Sequence, residues 1–167
     1  KREIARSDGT PVNFLGFPGA LSKTPATYRL APPKSGENTV AVLQTVLGEF
    51  DILPIAIGLS PPDQVARVLD AVWNGADTLV VVSSDLSHYH TSEEARQLDA
   101  DATHAILERR SDLPDEQACG ARAINGLMQI ARRRGLAVEV LDQRNSGDTA
   151  GDRSRVVGYG SYAVYEA

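Results

Sequence analysis

The 167 residues are 42% hydrophobic and 23% charged, enough apolar material for one domain with a sizeable core. Seventeen Lys and Arg against 22 Asp and Glu leave a net charge of −5, with no general electrostatic pull toward nucleic acid or an anionic membrane. No apolar run approaches the roughly 20 residues that span a bilayer, the first residues lack a signal peptide's apolar stretch, and a single cysteine excludes an internal disulfide framework. A cytoplasmic protein is expected. Because the chain opens at Lys1 rather than Met, a longer parent protein is also expected.

Residues 1–36 are broken by Gly16, Pro18, Gly19, Pro25, Pro32, Pro33 and Gly36, so an irregular segment is expected there, a remnant of a longer domain, with short strands at 12–15 and 26–30. From residue 37 to 167 helical and strand patterns alternate. Val40 to Leu47 reads as a helix ending at Gly48, and Phe50 to Gly58 as a buried strand with Pro54 marking an edge or bulge. Pro61-Pro62-Asp63 opens a helix whose apolar stripe is Val65, Val68, Leu69 and Val72. Thr78 to Val82 reads as the clearest buried strand. Thr91-Ser92-Glu93-Glu94 has capping-box spacing and launches a helix to about Arg110. Another helix runs from about Cys119 to Arg134, stopped by Gly135, with Arg132 to Arg134 complementing its C-terminal dipole. Strands follow at 136–141 and 156–165. Such alternation predicts an α/β fold with a three-layer αβα arrangement and a mainly parallel or mixed sheet, including strands at 50–57, 78–83, 137–142 and 156–165.

Polar side chains appear abruptly after the strand at 78–82, in Ser83-Ser84-Asp85-Leu86-Ser87-His88-Tyr89-His90. Strand ends are where ligands bind in parallel α/β sheets. Asp85 and His88 are three residues apart, close enough for the carboxylate to orient the imidazole for acid–base work. The alternative is that Ser84 or Asp85 caps a turn while His88 bonds to backbone. His90 reads as an exposed loop histidine, and His104 as a surface residue of a charged helix. Cys119, near a helix start, is either a reactive thiol and soft-metal ligand or a small buried hydrophobe. Asn145 to Asp152 suits a tight turn better than a calcium loop, since it lacks the terminal Glu. A serine hydrolase built on Ser84 or Ser87 would lack the Gly-x-Ser-x-Gly elbow.

Taken in order, Ser83 to Tyr89, Ala118-Cys119-Gly120, Asn145 to Asp152 and Val156-Val157-Gly158-Tyr159 resemble the successive signatures of the Memo family, with Asp51 to Gly58 similar to the strand before them. The likeness covers about residues 37–165. That family includes AmmeMemoRadiSam system protein B and is related to the class III extradiol non-haem iron dioxygenases. The resemblance implies a dioxygenase-like sheet with flanking helices and a redox-active metal, Fe(II) or copper, held by two histidines and a cysteine. Cys119 matches the metal cysteine. His88 matches a pocket histidine serving acid–base chemistry, with Asp85 beside it as the second catalytic candidate.

The two metal-binding histidines belong to motifs of the type Pro-His-Ala-Gly-Tyr and Gly-Pro-Ser-His, which do not occur here. The chain's three histidines are His88, His90 and His104, and Glu37-Asn38-Thr39 stands where the family has Glu-His-Ser/Thr. Three explanations stay open: the ligands lie in a segment outside this sequence, they come from another chain, or this member has dropped the metal. Two functions are therefore expected in competition. One is a metal-dependent oxidoreductase with Asp85, His88 and Cys119 in a cleft. The other is a non-catalytic module binding a small molecule or peptide through a degenerate metal site.

Overall fold

The computed structural model describes residues 13–16, 50–73, 75–149 and 151–166, with the backbone alone at 13–16 and 76. The chain divides into two compact units, Lys1–Ile4 with Pro18–Ala56 and Ala5–Phe17 with Ile57–Ala167. Of the first, only residues 50–56 are described. The strand expected at 26–30 and the helix expected at 40–47 lie outside the described residues.

In the second unit the order is β1 (Asn13–Gly16), α1 (Pro62–Val72), β2 (His88–His90), α2 (Ser92–Leu107), α3 (Ala121–Arg134), β3 (Ala137–Asn145) and β4 (Val156–Tyr165). Local chemistry sets the helix boundaries. Pro62 occupies the first turn of α1, where a missing N–H costs nothing. Thr91 caps α2 in a reciprocal box with Glu94, each side chain bonding the other's backbone N–H. Gly135 stops α3 in the left-handed region at φ 70°, a conformation glycine adopts without strain.

β4 is the hub of the sheet, pairing with β1, β2 and β3. All three pairings are antiparallel, which corrects the expectation of mainly parallel strands. For β3 and β4 the reason lies in the connection: the described residues of 146–155 hold only a 3-10 turn, Ser146–Asp148, and no crossover helix. A chain that short can return only as a hairpin.

Two expected strands are also corrected. Residues 50–57 form no strand, and Ile52, Leu53 and Ile55 are exposed. Pro54 offers no N–H to a ladder, and nothing among the described residues pairs with the segment. The run at 78–83 holds a single bridge residue, Val82, and no strand. Its burial is nonetheless as expected, with Val80 and Val82 in the core.

That core gathers Val65, Ala66 and Leu69 of α1, Ala102, Ala105 and Ile106 of α2, Ile124, Leu127, Met128 and Ile130 of α3, and Tyr162 and Val164 of β4. Val68, expected in the α1 stripe, instead turns outward at 47% exposed. Helix α3 begins at Ala121, two residues beyond the expected start at Cys119. α1 and α3 approach closely where Gly126 lies against Val65, since a β-carbon at that glycine would overlap the valine side chain. Asp70 of α1 pairs with Arg133 and, at 2.7 Å, with Arg134, so the basic run ties the two helices together at the surface. No helix among the described residues is long and apolar enough to cross a membrane.

Candidate functional site

The segment from Ser83 to His88 leaves the core at Val82 and is stapled to the sheet before it reaches β2. Leu86 N donates to Gly158 O at 2.9 Å, and Gly158 N donates back to Ser87 O at 2.8 Å. Leu86 is buried, which anchors the middle of the loop. Asp85 and His88 therefore flank a fixed point instead of riding on a free loop.

β2 itself is irregular. His88 pairs with Val157 and His90 with Val156, so Tyr89 is the extra residue of a bulge. Its φ of 65° is left-handed, costing about 1–2 kcal/mol for a residue with a β-carbon. Tyr89 is thereby turned outward, 65% exposed, with the Arg155 guanidinium 4.5 Å from its ring centroid. The half-buried His88 ring is tilted against it, with 5.7 Å between centroids.

Cys119 reaches the same place from the other side of the chain. Asp85 N donates to Cys119 Sγ at 3.2 Å, and Cys119 N donates to Asp85 O at 3.2 Å. Beside this pair, Ser84 Oγ donates to Asp85 O at 2.7 Å, accepts from Gly120 N at 2.8 Å and lies 3.8 Å from Sγ. Gly120 is required for this approach, because a β-carbon there would stand 2.7 Å from Ser84 Cβ. The two segments are thus latched by one backbone–backbone bond and two bonds from backbone N–H to a side chain, with the exposed Cys119 accepting one of them on its sulfur.

Asp85, His88 and Cys119 accordingly converge: one donor atom from each lies within 4.8 Å of the others. His88 Nε2 is 3.6 Å from Asp85 Oδ2, too long for a hydrogen bond but close enough for a charged pair when the imidazole is protonated. A thiol, an imidazole and a carboxylate are donors of the kind that hold a transition metal or zinc, and of the ligands that the family resemblance implies, Cys119 alone is among them.

The remaining candidates are placed apart or engaged elsewhere. His90 lies on β2, partly buried, where an exposed loop had been expected. His104 is on the exposed face of α2, 3.7 Å from Glu108. Ser84's proton is committed to a carbonyl and Ser87 is fully buried, which offers a serine hydrolase no nucleophile. In the turn at 145–152, Asn145 N donates to Asp148 Oδ2 and Gly147 N donates to Asn145 Oδ1, while Asp152 accepts from Ser154. These side chains stabilise the turn, and hydrogen bonds hold both carboxylates below the usual range.

Asp99 was not anticipated from the sequence. It sits on α2 with 2% exposure, accepts a hydrogen bond from Ser87 N at 2.9 Å and lies against Gly158. The signal was present as an acidic residue within the buried stripe Ala95, Asp99, Ala102 and Ile106. Burial pushes its carboxyl above the ordinary 3.8, outweighing the Ser87 hydrogen bond and the nearby His90 and His88. A raised carboxyl pKa makes the native state relatively less stable as pH climbs from the unfolded value through the native one. Asp99→Asn keeps an acceptor for Ser87 N without the charge. Its melting temperature, measured relative to the native protein, should therefore rise between pH 4 and pH 7. An offset independent of pH would mean that Asp99 ionises as it does in water.

The family model for "Memo-like protein" matches residues 33–163. A MEMO1 family protein of Methanosarcina acetivorans is 32% identical over 131 residues, 70% of this chain and 48% of that protein. MEMO1 family proteins of Archaeoglobus fulgidus and Thermoplasma acidophilum are 33% and 34% identical, over 74% and 76% of this chain and 51% of each relative. The chain thus spans about half the length of the curated relatives it matches. With most of its length covered by the family model, this chain belongs to the Memo-like protein family.

Proposed function

We propose that the chain carries part of a Memo-like metalloprotein site related to the non-haem dioxygenases, and that its redox or acid–base chemistry takes place where Asp85, His88 and Cys119 meet. The observation that supports this reading is the approach of three donors to within 4.8 Å, from segments joined by Cys119 N donating to Asp85 O and Asp85 N donating to Cys119 Sγ. In this reading Cys119 is a ligand of Fe(II) or copper. His88 holds or moves a proton, and Asp85 sets the charge beside its ring. A metal bound here supplies redox or Lewis-acid chemistry. Further ligands come from the family's histidine motifs, on a longer form of the protein or on another chain, and complete a three-layer αβα, dioxygenase-like fold. The ligand is a small molecule or peptide, and the compartment is cytoplasmic.

The absence of the two histidine motifs favours a second reading, in which the pocket binds a ligand without catalysis. Metal analysis separates them. The purified chain, and a form extended by both histidine motifs, are loaded with Fe(II) or Cu(I) under reducing conditions. The extended form should hold about one metal per chain and lose it on Cys119→Ser. Metal-free protein in both forms would remove the metalloenzyme and leave the binding module.

A further inference from the structure

We infer that Asp99 is a positioning residue for His88: from α2, its carboxylate clamps the backbone immediately before the imidazole and sets where the ring stands. The inference rests on the proposed role of His88. It deepens that role with a residue outside the four stretches that carry the family resemblance.

Small residues let α2 come close to the loop. Ala95 and Ala102, one turn before and one turn after Asp99 on the buried stripe, are fully buried. Gly158 on β4 has no side chain to hold the carboxylate off, and a β-carbon there would overlap it. In that gap Asp99 Oδ1 accepts from Ser87 N at 2.9 Å, a bond strengthened whenever the carboxyl is ionised. From β4, Gly158 N donates to Ser87 O at 2.8 Å. Ser87 is thus held at both backbone groups, and it is fully buried, so bulk water replaces neither bond.

His88 is the next residue. Beyond it the ladder gives little support, because the register breaks between His88 and His90 and Tyr89 takes its left-handed φ of 65°. The ring's place is therefore fixed from the Ser87 side. Asp85 is held separately, through its two bonds with Cys119. The 3.6 Å between His88 Nε2 and Asp85 Oδ2 is then a spacing between two groups with different anchors, Cys119 for one and Asp99 for the other.

α2 itself has no need of this carboxylate. Its N-terminus is already capped by Thr91 and Glu94, and burying an acid at 2% exposure is costly. The bond that offsets the cost goes to the loop that carries His88.

Nuclear magnetic resonance on the full chain tests this. Each variant is measured at the same interval below its own melting temperature, which removes a general loss of stability. In Asp99→Ala the Ser87 amide should exchange at least about tenfold faster, since its buried acceptor is gone. The His88 ring signals should shift, and the contact between the His88 and Tyr89 rings should be lost. Asp99→Asn keeps an acceptor for Ser87 N and should retain the native ring signals. Ile130→Val, which loosens the fully buried core on α3, should leave them unmoved. The Cys119 thiol should react with a disulfide reagent within about twofold of the native rate in every variant, because its bonds to Asp85 are separate. If Asp99→Ala does not fold, Asp99→Ser takes its place, its hydroxyl being one bond too short to reach Ser87 N. Unmoved His88 signals in the shortened variant would overturn the inference. So would signals displaced as far in Asp99→Asn or Ile130→Val, or a Cys119 rate that changes together with His88. A displaced His88 in a protein that holds no metal in either form upholds the positioning and removes the metalloenzyme. An unmoved His88, with Fe(II) or Cu(I) held through Cys119 in the extended form, does the reverse.

Discussion

Gly158→Ala should destabilise the protein by about 3–5 kcal/mol, because the new methyl group has nowhere to go. A β-carbon at Gly158 overlaps the carboxylate of Asp99, which is itself 2% exposed and fixed by the bond from Ser87 N. Overpacking of this kind costs about 1–3 kcal/mol, and displacing a charged acceptor from its buried donor adds about 1.5–3 kcal/mol. The effect extends to the site, since Gly158 also bonds Leu86 and Ser87 on either side of the turn between Asp85 and His88. Denaturant unfolding gives the magnitude. Shortening the neighbour should restore room, so Gly158→Ala with Asp99→Ala should lose less stability than the sum of the single changes. Additive losses, or a Gly158→Ala protein within about 1 kcal/mol of native, would show that Asp99 swings aside freely.

Asn145→Ala should cost about 2–4 kcal/mol, a large effect for a residue in a surface turn. Asn145 is 1% exposed, and its Oδ1 accepts from Gly147 N while its Nδ2 donates to Ser92 Oγ at 3.2 Å. Removing the side chain leaves buried polar groups on both the β3–β4 connection and the start of α2 without partners. Asn145→Asp keeps the acceptor and loses the donor, so its loss should fall between native and alanine. Hydrogen exchange at Gly147 should speed up in the alanine variant before global unfolding. Unchanged protection there would argue that Asp148, which bonds Asn145 N and pairs with Arg96 at 2.7 Å, holds the turn alone.

Wherever the determinant is local, the amino-acid sequence by itself decided the outcome. The Thr91–Glu94 box, the proline entry to α1 and the glycine exit from α3 are interactions within one turn of chain, and each boundary follows from them. The loop at 83–89 and Cys119 stood out as candidates, polar side chains after an apolar run and a lone cysteine beside a glycine, but residue type left a turn cap and a small buried hydrophobe as open alternatives. Strand pairing is non-local, and the structure alone decided it. An apolar run such as 50–57 states that it could be buried but not what would cover it, and here it forms no strand. Pairing direction was set by the short return between β3 and β4, a constraint that hydrophobic pattern does not encode. The same holds for the site. Asp85, His88 and Cys119 could be named from residue type, but their meeting depends on hydrogen bonds between residues 84–85 and 119–120. Asp99 shows the limit most directly: its place against Gly158 arises only when α2 packs on β4, which no spacing within either element reveals.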